Sequence, residues 1–425
     1  MMPPRTRAGY AAGTGLVRFA LIVLVLTACG RDNPTDSTPG PSRSWTLLLY
    51  DDADFFNAYD PLEDFGREVW SGDDVAILVL ADAEDGPAVL GHIDSEHLPL
   101  KLQEMGEVNM GDPATLTDFL QYAVEHYPAQ RYILAFYDHG GGWQGTCWDD
   151  TNGHDNLTMD EIRTSLATVG GVDLVLFSAP CLMGSVEAAY ELRQGTEVYI
   201  GSENLSGYSL WSETMGDICR TLHSDPGISN LDLGELIIDS IRQHAGEPTP
   251  VTGMTMSAVR TDRLSALAEA VEAVSLAYLS RIDSFRAHID AVYQDVTRFY
   301  GVFADLWDLA RQLRLVEQDP AVRDTLGLMQ SCLEASIVAE CHGTDWTDAH
   351  GLTLFLPDST AVVQGALLAY TSDWYALDFV RDTHWDELWE VLYAANATLE
   401  GGFARQYPPG VSGLDIPPEM TKKRP

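Results

Sequence analysis

A histidine and a cysteine, each placed after a short apolar run, are the side chains in this sequence best suited to covalent chemistry. His139 follows the run at 132–136 and begins a glycine-rich stretch, and Cys181 follows the run at 172–177. A thiol beside an imidazole forms a nucleophile with its general base. The two residues are distant in sequence, so the fold has to bring them together.

The elements around these two residues predict an α/β fold. Strand-like segments lie at 45–50, 75–80, 132–136, 172–177 and 197–201, and helix-like segments lie at 113–126, at 182–192 and from Thr158, where a capping box begins. Strands that alternate with helices favour a mainly parallel sheet flanked by helices. Ligands bind outside the carboxyl ends of such strands, so we expect His139 and Cys181 to meet at that edge.

The pattern turns mainly helical after residue 260. Helices are predicted at 264–282, 303–315 and 321–337, followed by a late strand at 351–356. We therefore expect a sheet-containing region at 45–260, a largely helical C-terminal region at 261–400 and a loose tail at 401–425.

The beginning of the chain predicts export and a lipid anchor. Basic residues precede an apolar run at 19–26, which is too short and wrongly flanked for a lasting transmembrane helix. Leu-Thr-Ala-Cys at 26–29 resembles the lipobox of bacterial lipoproteins, which implies a signal peptide at 1–28 and a lipid on Cys29. Residues 29–44 are rich in Pro, Gly, Ser and Thr and predict a flexible tether. We expect an exported protein on the periplasmic or cell-surface face of a bacterial membrane, which it contacts only through this lipid.

The charge of the chain excludes one class of partner. The sequence carries 25 basic and 64 acidic residues, for a net charge of −39. Removal of the signal peptide with its three arginines leaves 22 − 64 = −42. Such a charge opposes nucleic acids and anionic lipid surfaces, because phosphate binding needs clustered Lys and Arg. It suits a soluble, self-repelling protein, which we expect to be a monomer, or one that attracts cationic peptides.

Four further cysteines raise the question of disulfides, which an oxidising compartment favours. Cys332 and Cys341 are close in sequence and could form a local bridge, and Cys147 with Cys219 would then pair by elimination. The sequence does not determine this connectivity. The cysteine and histidine spacings do not match those of zinc sites.

Several motifs, taken in order, resemble the clostripain family of cysteine peptidases, which have a caspase-like fold. They are His-Gly-Gly-Gly-Trp at 139–143, Cys-Trp-Asp-Asp-Thr at 147–151, Cys-Leu-Met-Gly at 181–184 and Val-Glu-Ala-Ala-Tyr-Glu-Leu at 186–192. Later segments at 200–203, 303–309 and 351–357 also resemble landmarks of the family. The similarity extends in order over roughly residues 45–395, which makes it more specific than any one motif.

The resemblance implies a Cys-His dyad that hydrolyses peptide bonds through a thioester acyl-enzyme. Cys181 matches the family's nucleophile and His139 its general base. We expect the helix predicted from residue 182 to lower the pKa of the Cys181 thiol, because unpaired N–H groups at a helix start favour an anion. Gly140 lacks a side chain, so its N–H and that of Cys181 are the predicted oxyanion hole.

Two departures from the family bear on specificity and maturation. Relatives that cleave after Arg or Lys carry an aspartate two residues before the cysteine, where this chain has Ala179. The resemblance therefore does not imply that this chain prefers Arg or Lys before the cleaved bond. The guanidinium of a substrate arginine would find no carboxylate at position 179 to form a charge-assisted hydrogen bond. Asp138 and Glu203 are the candidates to supply a carboxylate. Residues 140–162 contain no Lys or Arg, which predicts that the chain is not cut at a basic site in this loop.

Calcium is the candidate cofactor, since clostripain itself requires it. The acidic turns at 51–54 and 149–155 offer oxygen ligands that hard cations prefer, although solvated acidic loops are common without a metal. No metal ligands are assigned from the sequence. Two alternatives to a peptidase stay open: a lipid-anchored binding protein on an inactive scaffold, which Pro180 beside the nucleophile favours, and a ligase that uses the same Cys and His.

Overall fold

The computed structural model describes residues 43–53, 61–84, 86–206, 211–245, 252–357 and 361–399. The predicted signal peptide, Cys29, the tether up to residue 42 and the tail lie outside these residues. Arg43 and Ser44, predicted as the end of the tether, belong to the first strand. Within the described part of the chain, no helix combines the length and the apolar character needed to cross a membrane.

The strands alternate with helices over most of the chain. The strands are β1 (Arg43–Ala53), β2 (Val75–Ala83), β3 (Ala88–Ile93), β4 (Pro99–Gly106), β5 (Ala129–Tyr137), β6 (Thr146–Asp149), β7 (Asp155–Leu157), β8 (Leu174–Phe177), β9 (Val198–Gly201), β10 (Thr255–Arg260), β11 (Arg298–Phe299), β12 (Phe303–Asp305), β13 (Ile337–His342) and β14 (Thr353–Phe355). The helices are α1 (Pro61–Glu68), α2 (Pro113–His126), α3 (Met159–Thr168), α4 (Val186–Glu191), α5 (Trp211–Ser224), α6 (Asn230–Ala245), α7 (Leu264–Leu279), α8 (Ile282–Val292), α9 (Leu306–Val316), α10 (Pro320–Ser336), α11 (Ala361–Tyr370), α12 (Asp378–Asp382) and α13 (Trp385–Leu399).

Nine of these strands form one central sheet, in the order β13-β10-β9-β8-β5-β1-β2-β3-β4. The five strands from β9 to β2 run parallel to one another, and antiparallel strands extend the sheet at both edges. The prediction of an α/β fold with a mainly parallel, helix-flanked sheet is therefore confirmed.

The side chains of the central strands alternate between two cores, one on each face of the sheet. Along β1, Leu48 and Tyr50 join one core, and Leu47 and Leu49 join the other. Helices α1, α5 and α6 cover the second face. The first face packs against α2, α3 and α4 and against most of the C-terminal helices. This double burial accounts for the nearly continuous apolar runs from which the parallel strands were predicted.

The C-terminal region contributes both to this sheet and to the face beside it. Strand β13 pairs with β10 and closes one edge of the sheet. Strands β11, β12 and β14 form a separate three-stranded sheet, and Thr353 of β14 makes an isolated bridge with Ser185. The proposed boundary at residue 260 coincides with the end of β10, and later residues pack on both sides of the sheet.

The two disulfides that the sequence left open are not formed, because the cysteines of the described residues are free thiols. Cys147 lies in the core on one face of the sheet and Cys219 in the core on the other. Cys332 packs against the first of these cores and Cys341 lies in the second. Each predicted bridge would therefore have to cross the sheet.

Candidate active site

The two sequence motifs lie at the same edge of the sheet. Strand β5 leads into Asp138 and His139, and the neighbouring strand β8 leads into the segment with Cys181. Phe136 and Phe177 are register partners near the ends of these parallel strands. The sheet thus delivers both motifs to its carboxyl edge, as predicted.

Gly140 packs directly against the backbone of Cys181. A Cβ added at Gly140 would lie 2.4 Å from the Cys181 carbonyl oxygen, 2.7 Å from its nitrogen and 2.7 Å from Cβ of Pro180. Real Cβ atoms do not approach backbone atoms this closely, so only glycine fits. The predicted oxyanion-hole residues, Gly140 and Cys181, are therefore neighbours.

The loop after His139 is fixed by hydrogen bonds at its base. The Thr146 hydroxyl donates to the His139 carbonyl oxygen at 2.7 Å, and Thr146 also forms an isolated bridge with Gly140. Asp138 Oδ2 accepts a hydrogen bond from the Trp148 N–H at 2.6 Å. These bonds hold the half-buried His139 in place beside the cysteine segment.

The predicted helix from residue 182 is wrong, and α4 begins only at Val186. Leu182 adopts a left-handed conformation with φ of 64°, which breaks a helix at that position. Its N–H donates to the Asn204 carbonyl oxygen, and the Gly184 N–H donates to that of Ser202. These partners lie far along the chain, so the residues that follow Cys181 pair with another segment instead of forming a helical turn.

The Cys181 thiol contacts Ser206. The Ser206 N–H donates to Sγ at 3.3 Å, and Sγ lies 3.8 Å from the Ser206 carbonyl oxygen. The Ser206 hydroxyl donates to the Ser178 carbonyl oxygen at 3.0 Å, which ties this residue to the end of β8. Ser206 was not predicted, and its contact with the thiol has no signal in the sequence.

The electrostatics of the dyad differ from the prediction of a lowered thiol pKa. Burial raises the pKa of the Cys181 thiol to about 11; the Ser206 N–H opposes this shift and the nearby Asp138 adds to it. Burial lowers the pKa of His139, against a smaller opposing effect of Asp150. Because Cys181 does not begin a helix, no helix dipole offsets its burial. These shifts favour the protonated thiol of Cys181 and the neutral imidazole of His139, which can accept a proton.

A tyrosine of the C-terminal region also lies near the thiol. Burial, and to a smaller extent the charge of Cys181, raise the pKa of Tyr300. Tyr300 and Gly301 have φ of 47° and 83° and form the tip of the hairpin between β11 and β12. Tyr300 was not predicted, since it is brought to the site by the three-stranded sheet.

The residues proposed for the substrate pocket are all buried. Ala179 packs in one of the two cores. Burial raises the pKa of Asp138 well above its usual range, although its hydrogen bonds with backbone N–H groups oppose the shift. Glu203 is 1% exposed, and its Oε2 accepts a hydrogen bond from the Gly351 N–H at 3.0 Å. The structure thus places Asp138 near Cys181 but directs Glu203 away, towards the C-terminal region.

Three carboxylates beside the site could hold a hard cation. Oxygens of Asp82, Glu107 and Asp149 lie within 4.8 Å of one another. An all-oxygen donor set suits calcium, although Asp149 also accepts hydrogen bonds from the N–H groups of Met110 and Asn152. Asp149 belongs to the acidic turn predicted at 149–155, whereas Asp82 and Glu107 were missed because they come from separate elements.

The other acidic turn proposed for calcium, 51–54, is not a solvated loop. Asp51 and Asp52 lie in β1 and are 3% and 1% exposed. Asp54 lies outside the described residues. The strand therefore continues past its apolar run, and these two carboxyls are enclosed at the carboxyl edge of the sheet.

Comparison with solved structures identifies the fold. The chain is similar to a C11 protease from Parabacteroides distasonis, solved as an inactive zymogen, with a TM-score of 0.61 and 16% identity over 81% of this chain and 99% of that one. It is also similar to iotapain, a secreted C11 cysteine protease from Bacteroides thetaiotaomicron, with a TM-score of 0.60 and 16% identity over 80% of this chain and 99% of that one.

Sequence comparison identifies the family. An alignment of 103 positions, which covers 21% of this chain, is 41% identical to clostripain of Hathewaya histolytica. This alignment covers only 19% of the length of clostripain. The sequence model of the clostripain family, by contrast, matches residues 59–393 and so includes both motifs and most of the C-terminal region. The chain therefore belongs to the clostripain family of cysteine peptidases.

Proposed function

We propose that this protein is an endopeptidase in which Cys181 is the nucleophile and His139 the general base. The observation that carries the proposal is the contact between Gly140 and the Cys181 backbone. This contact brings together the motif that ends β5 and the motif that follows β8 at one point. A thiol, an imidazole and two backbone N–H groups are the parts that acyl transfer needs.

In the proposed reaction His139 accepts and returns a proton in each of two stages, first when the thioester forms and then when it is hydrolysed. His139 takes the thiol proton while Sγ attacks the substrate carbonyl carbon, and the N–H groups of Gly140 and Cys181 stabilise the oxyanion. The C–N bond then breaks, and the imidazolium returns its proton to the leaving amine, which leaves a thioester on Cys181. Water, deprotonated by His139, then attacks the thioester carbonyl carbon and the C–S bond breaks. The acyl part leaves as a carboxylic acid, and the imidazolium returns its proton to Sγ, which restores the thiol. The neutral imidazole fits the first step, since it enters the reaction able to accept a proton.

Substrate preference follows from position 179. Ala179 offers no carboxylate, and Asp138 and Glu203 are buried. We propose that the residue before the cleaved bond is small or apolar rather than Arg or Lys. We also propose that the enzyme acts as a single chain, because residues 140–162 contain no basic cleavage site.

We further propose that the protein acts outside the cytoplasm as a monomer. Cys29 would carry the lipid that anchors it, and the residues up to 42 would form the tether. Peptides or proteins would be its substrates, since these are what the peptidases of its family cleave. If calcium binds, Asp82, Glu107 and Asp149 are the residues that would hold it, and it would there neutralise three clustered carboxylates.

One observation favours a second function, a binding lipoprotein without peptidase activity. The pKa of Cys181 is raised to about 11, so very little thiolate exists at neutral pH. A nucleophile that must first lose its proton to His139 is less reactive than a preformed thiolate.

A peptide-library experiment tests the proposal. Residues 43–425, wild type and Cys181→Ala, would be incubated with diverse peptides, with and without calcium, and the cleaved bonds read by mass spectrometry. Cleavage that disappears in Cys181→Ala supports the peptidase, and the residues before each cut report on the pocket at Ala179. Efficient cleavage after Arg or Lys would contradict the proposed preference, and no cleavage under any condition would favour the binding protein.

A further inference from the structure

Glu203 forms a buried carboxyl pair with Asp305. Asp305 accepts three hydrogen bonds from N–H groups: from the Asp308 N–H at 2.6 Å, from the His350 N–H at 2.6 Å and from His350 Nδ1 at 3.2 Å. Glu203 Oε2 accepts from the Gly351 N–H, and its buried Oε1 has no donor among the described residues. The Glu203 carboxyl is within hydrogen-bonding reach of the Asp305 carboxyl. This arrangement fits a protonated Glu203 that donates from Oε1 to an ionised Asp305.

The residues around Glu203 position the nucleophile. The Ser202 and Asn204 carbonyl oxygens accept the N–H groups of Gly184 and Leu182, and the Ser206 N–H reaches Cys181 Sγ. We call residues 202–206 the support segment. Asn204 also donates from its side chain to the Gly253 carbonyl oxygen at 2.8 Å. The support segment therefore contacts the cysteine segment through its backbone, and it contacts Asp305 through the side chain of Glu203.

We propose that Glu203 is a positioning residue for Cys181. In this role Glu203 is a neutral carboxylic acid that is hydrogen-bonded to Asp305. The pair fixes the support segment and so keeps the Ser206 N–H on Cys181 Sγ. This inference rests on the proposed function, in which Cys181 is the nucleophile. It gives Glu203 a role other than the substrate-pocket role expected from the sequence.

The groups that face Glu203 favour its neutral form. Asp305 of β12 is in contact with it, and Glu340 of β13 adds a second negative charge nearby. Burial, followed by the effect of Asp305, raises the pKa of Glu203 well above its usual range. His350 faces Asp305 rather than Glu203. Burial lowers the pKa of His350, but the hydrogen bond with Asp305 and the negative charge of Asp305 outweigh burial, so the pKa of His350 is raised. Asp308 of α9 also lies near His350, and its negative charge contributes to the raised pKa of His350.

The chemistry predicts a loss of positioning at alkaline pH. When Glu203 loses its proton, two carboxylates face each other in a buried site without a proton between them, and they repel. The support segment then moves, and the thiolate of Cys181 loses the Ser206 N–H that stabilises it. Glu203→Gln keeps a donor towards Asp305 and an acceptor for the Gly351 N–H but cannot ionise, so it should preserve the arrangement at every pH.

The test is the rate of alkylation of Cys181 by iodoacetamide between pH 6 and 11, with each cysteine resolved by peptide mass spectrometry. At pH 7 we expect Glu203→Gln to react within about twofold of wild type, and Glu203→Ala about tenfold more slowly because its thiolate lacks the N–H donor. At alkaline pH the wild-type rate should fall below that of Glu203→Gln. Glu340→Gln, which removes a nearby charge without breaking a contact of Glu203, should match wild type at neutral pH.

The outcomes separate this proposal from the proposed function. Alkylation needs no peptidase activity, so the absence of peptide cleavage by wild type would count against the function only. Equal alkylation rates in folded Glu203→Ala and wild type would overturn the positioning role, as would a Glu203→Gln rate as low as that of Glu203→Ala. If Glu203→Ala does not fold, identical pH profiles of wild type and Glu203→Gln would overturn it. In an active enzyme, the fall in Glu203→Ala should appear in kcat with little change in KM.

Discussion

Gly140 faces the backbone of Cys181 so closely that a Cβ at position 140 would be 2.4 Å from the Cys181 carbonyl oxygen. Backbone atoms cannot rotate aside as the end of a side chain can, so Gly140→Ala must displace the cysteine. We expect kcat/KM for peptide hydrolysis to fall about a hundredfold or more, since catalysis tolerates little misplacement of reacting groups.

The matched control for this glycine is Gly365→Ala. A Cβ at Gly365 in α11 would meet no atom within 4 Å. That variant should keep full activity and gain slightly in stability, because alanine favours a helix. A Gly140→Ala enzyme as active as Gly365→Ala would show that the two motifs do not need this contact.

The titration of Cys181 provides a second prediction. With a pKa of about 11, the thiol of Glu203→Gln should react with iodoacetamide about ten times faster for each unit of pH between 7 and 10, and level off above pH 11. Wild type should follow the same line until Glu203 ionises. His139→Ala should abolish peptide cleavage and leave this midpoint in place, because a neutral imidazole adds no charge that would shift the pKa of the thiol. A rate that is already high and constant at neutral pH would instead reveal a preformed thiolate–imidazolium pair.

Glu187 predicts a dependence of stability on pH. Its carboxyl is fully buried in α4, where it accepts hydrogen bonds from the Phe355 N–H at 2.8 Å and the Tyr370 hydroxyl at 3.3 Å. Burial raises its pKa to about 7, although these hydrogen bonds oppose the shift. Between the unfolded and folded pKa values, the folded chain binds a proton that the unfolded chain has lost. The free energy of unfolding therefore falls as pH rises from about 4.3 to 7 and is constant above.

Urea denaturation at pH 5 and pH 8 measures this effect. Glu187→Gln cannot ionise, so its loss of stability between the two pH values should be smaller than that of wild type by roughly 3 kcal/mol. Glu125→Gln, at an exposed position on α2, should behave as wild type does. Parallel pH dependences in Glu187→Gln and wild type would argue against a protonated Glu187 at neutral pH.

Calcium binding is predicted to involve Glu107, the exposed member of the three carboxylates. Calcium at a hundredfold its dissociation constant should stabilise wild type by roughly 2.7 kcal/mol and raise its midpoint of thermal unfolding relative to EGTA. Glu107→Gln should lose this shift, whereas Glu104→Gln, on the exposed strand β4, should retain it. An equal shift in both variants would place the ion elsewhere.

Sequence patterns predicted the parts of the fold that depend on local signals. Helix α2 has the bounds that were predicted, and in the structure Asp112 caps it and Pro113 begins it. The capping box of Thr158 and Glu161 is present at the start of α3. The parallel strands were predicted from apolar runs that are buried on both faces.

The errors arose where distant contacts override local preference. The residues after Cys181 are apolar enough for a helix, but Leu182 and Gly184 bond to the support segment, and Ser185 caps the helix later than predicted. The Ser185 hydroxyl was a signal that could have given this start. The helix predicted up to residue 337 ends at Ser336, because the next residues pair with β10. Strand β4 was missed because most of it is exposed, so no buried run of apolar residues marks it in the sequence.

The pairing of β13 with β10 has a consequence for the smallest unit that can work. A polypeptide ending at residue 260 would contain every catalytic residue proposed here, yet β10 would have an open edge. The Gly184 carbonyl oxygen would lack the Thr353 N–H, and Glu203 would lack Asp305. The proposed catalytic motifs thus occupy only part of the chain, and we expect a truncated gene that preserves all of them to encode an inactive protein.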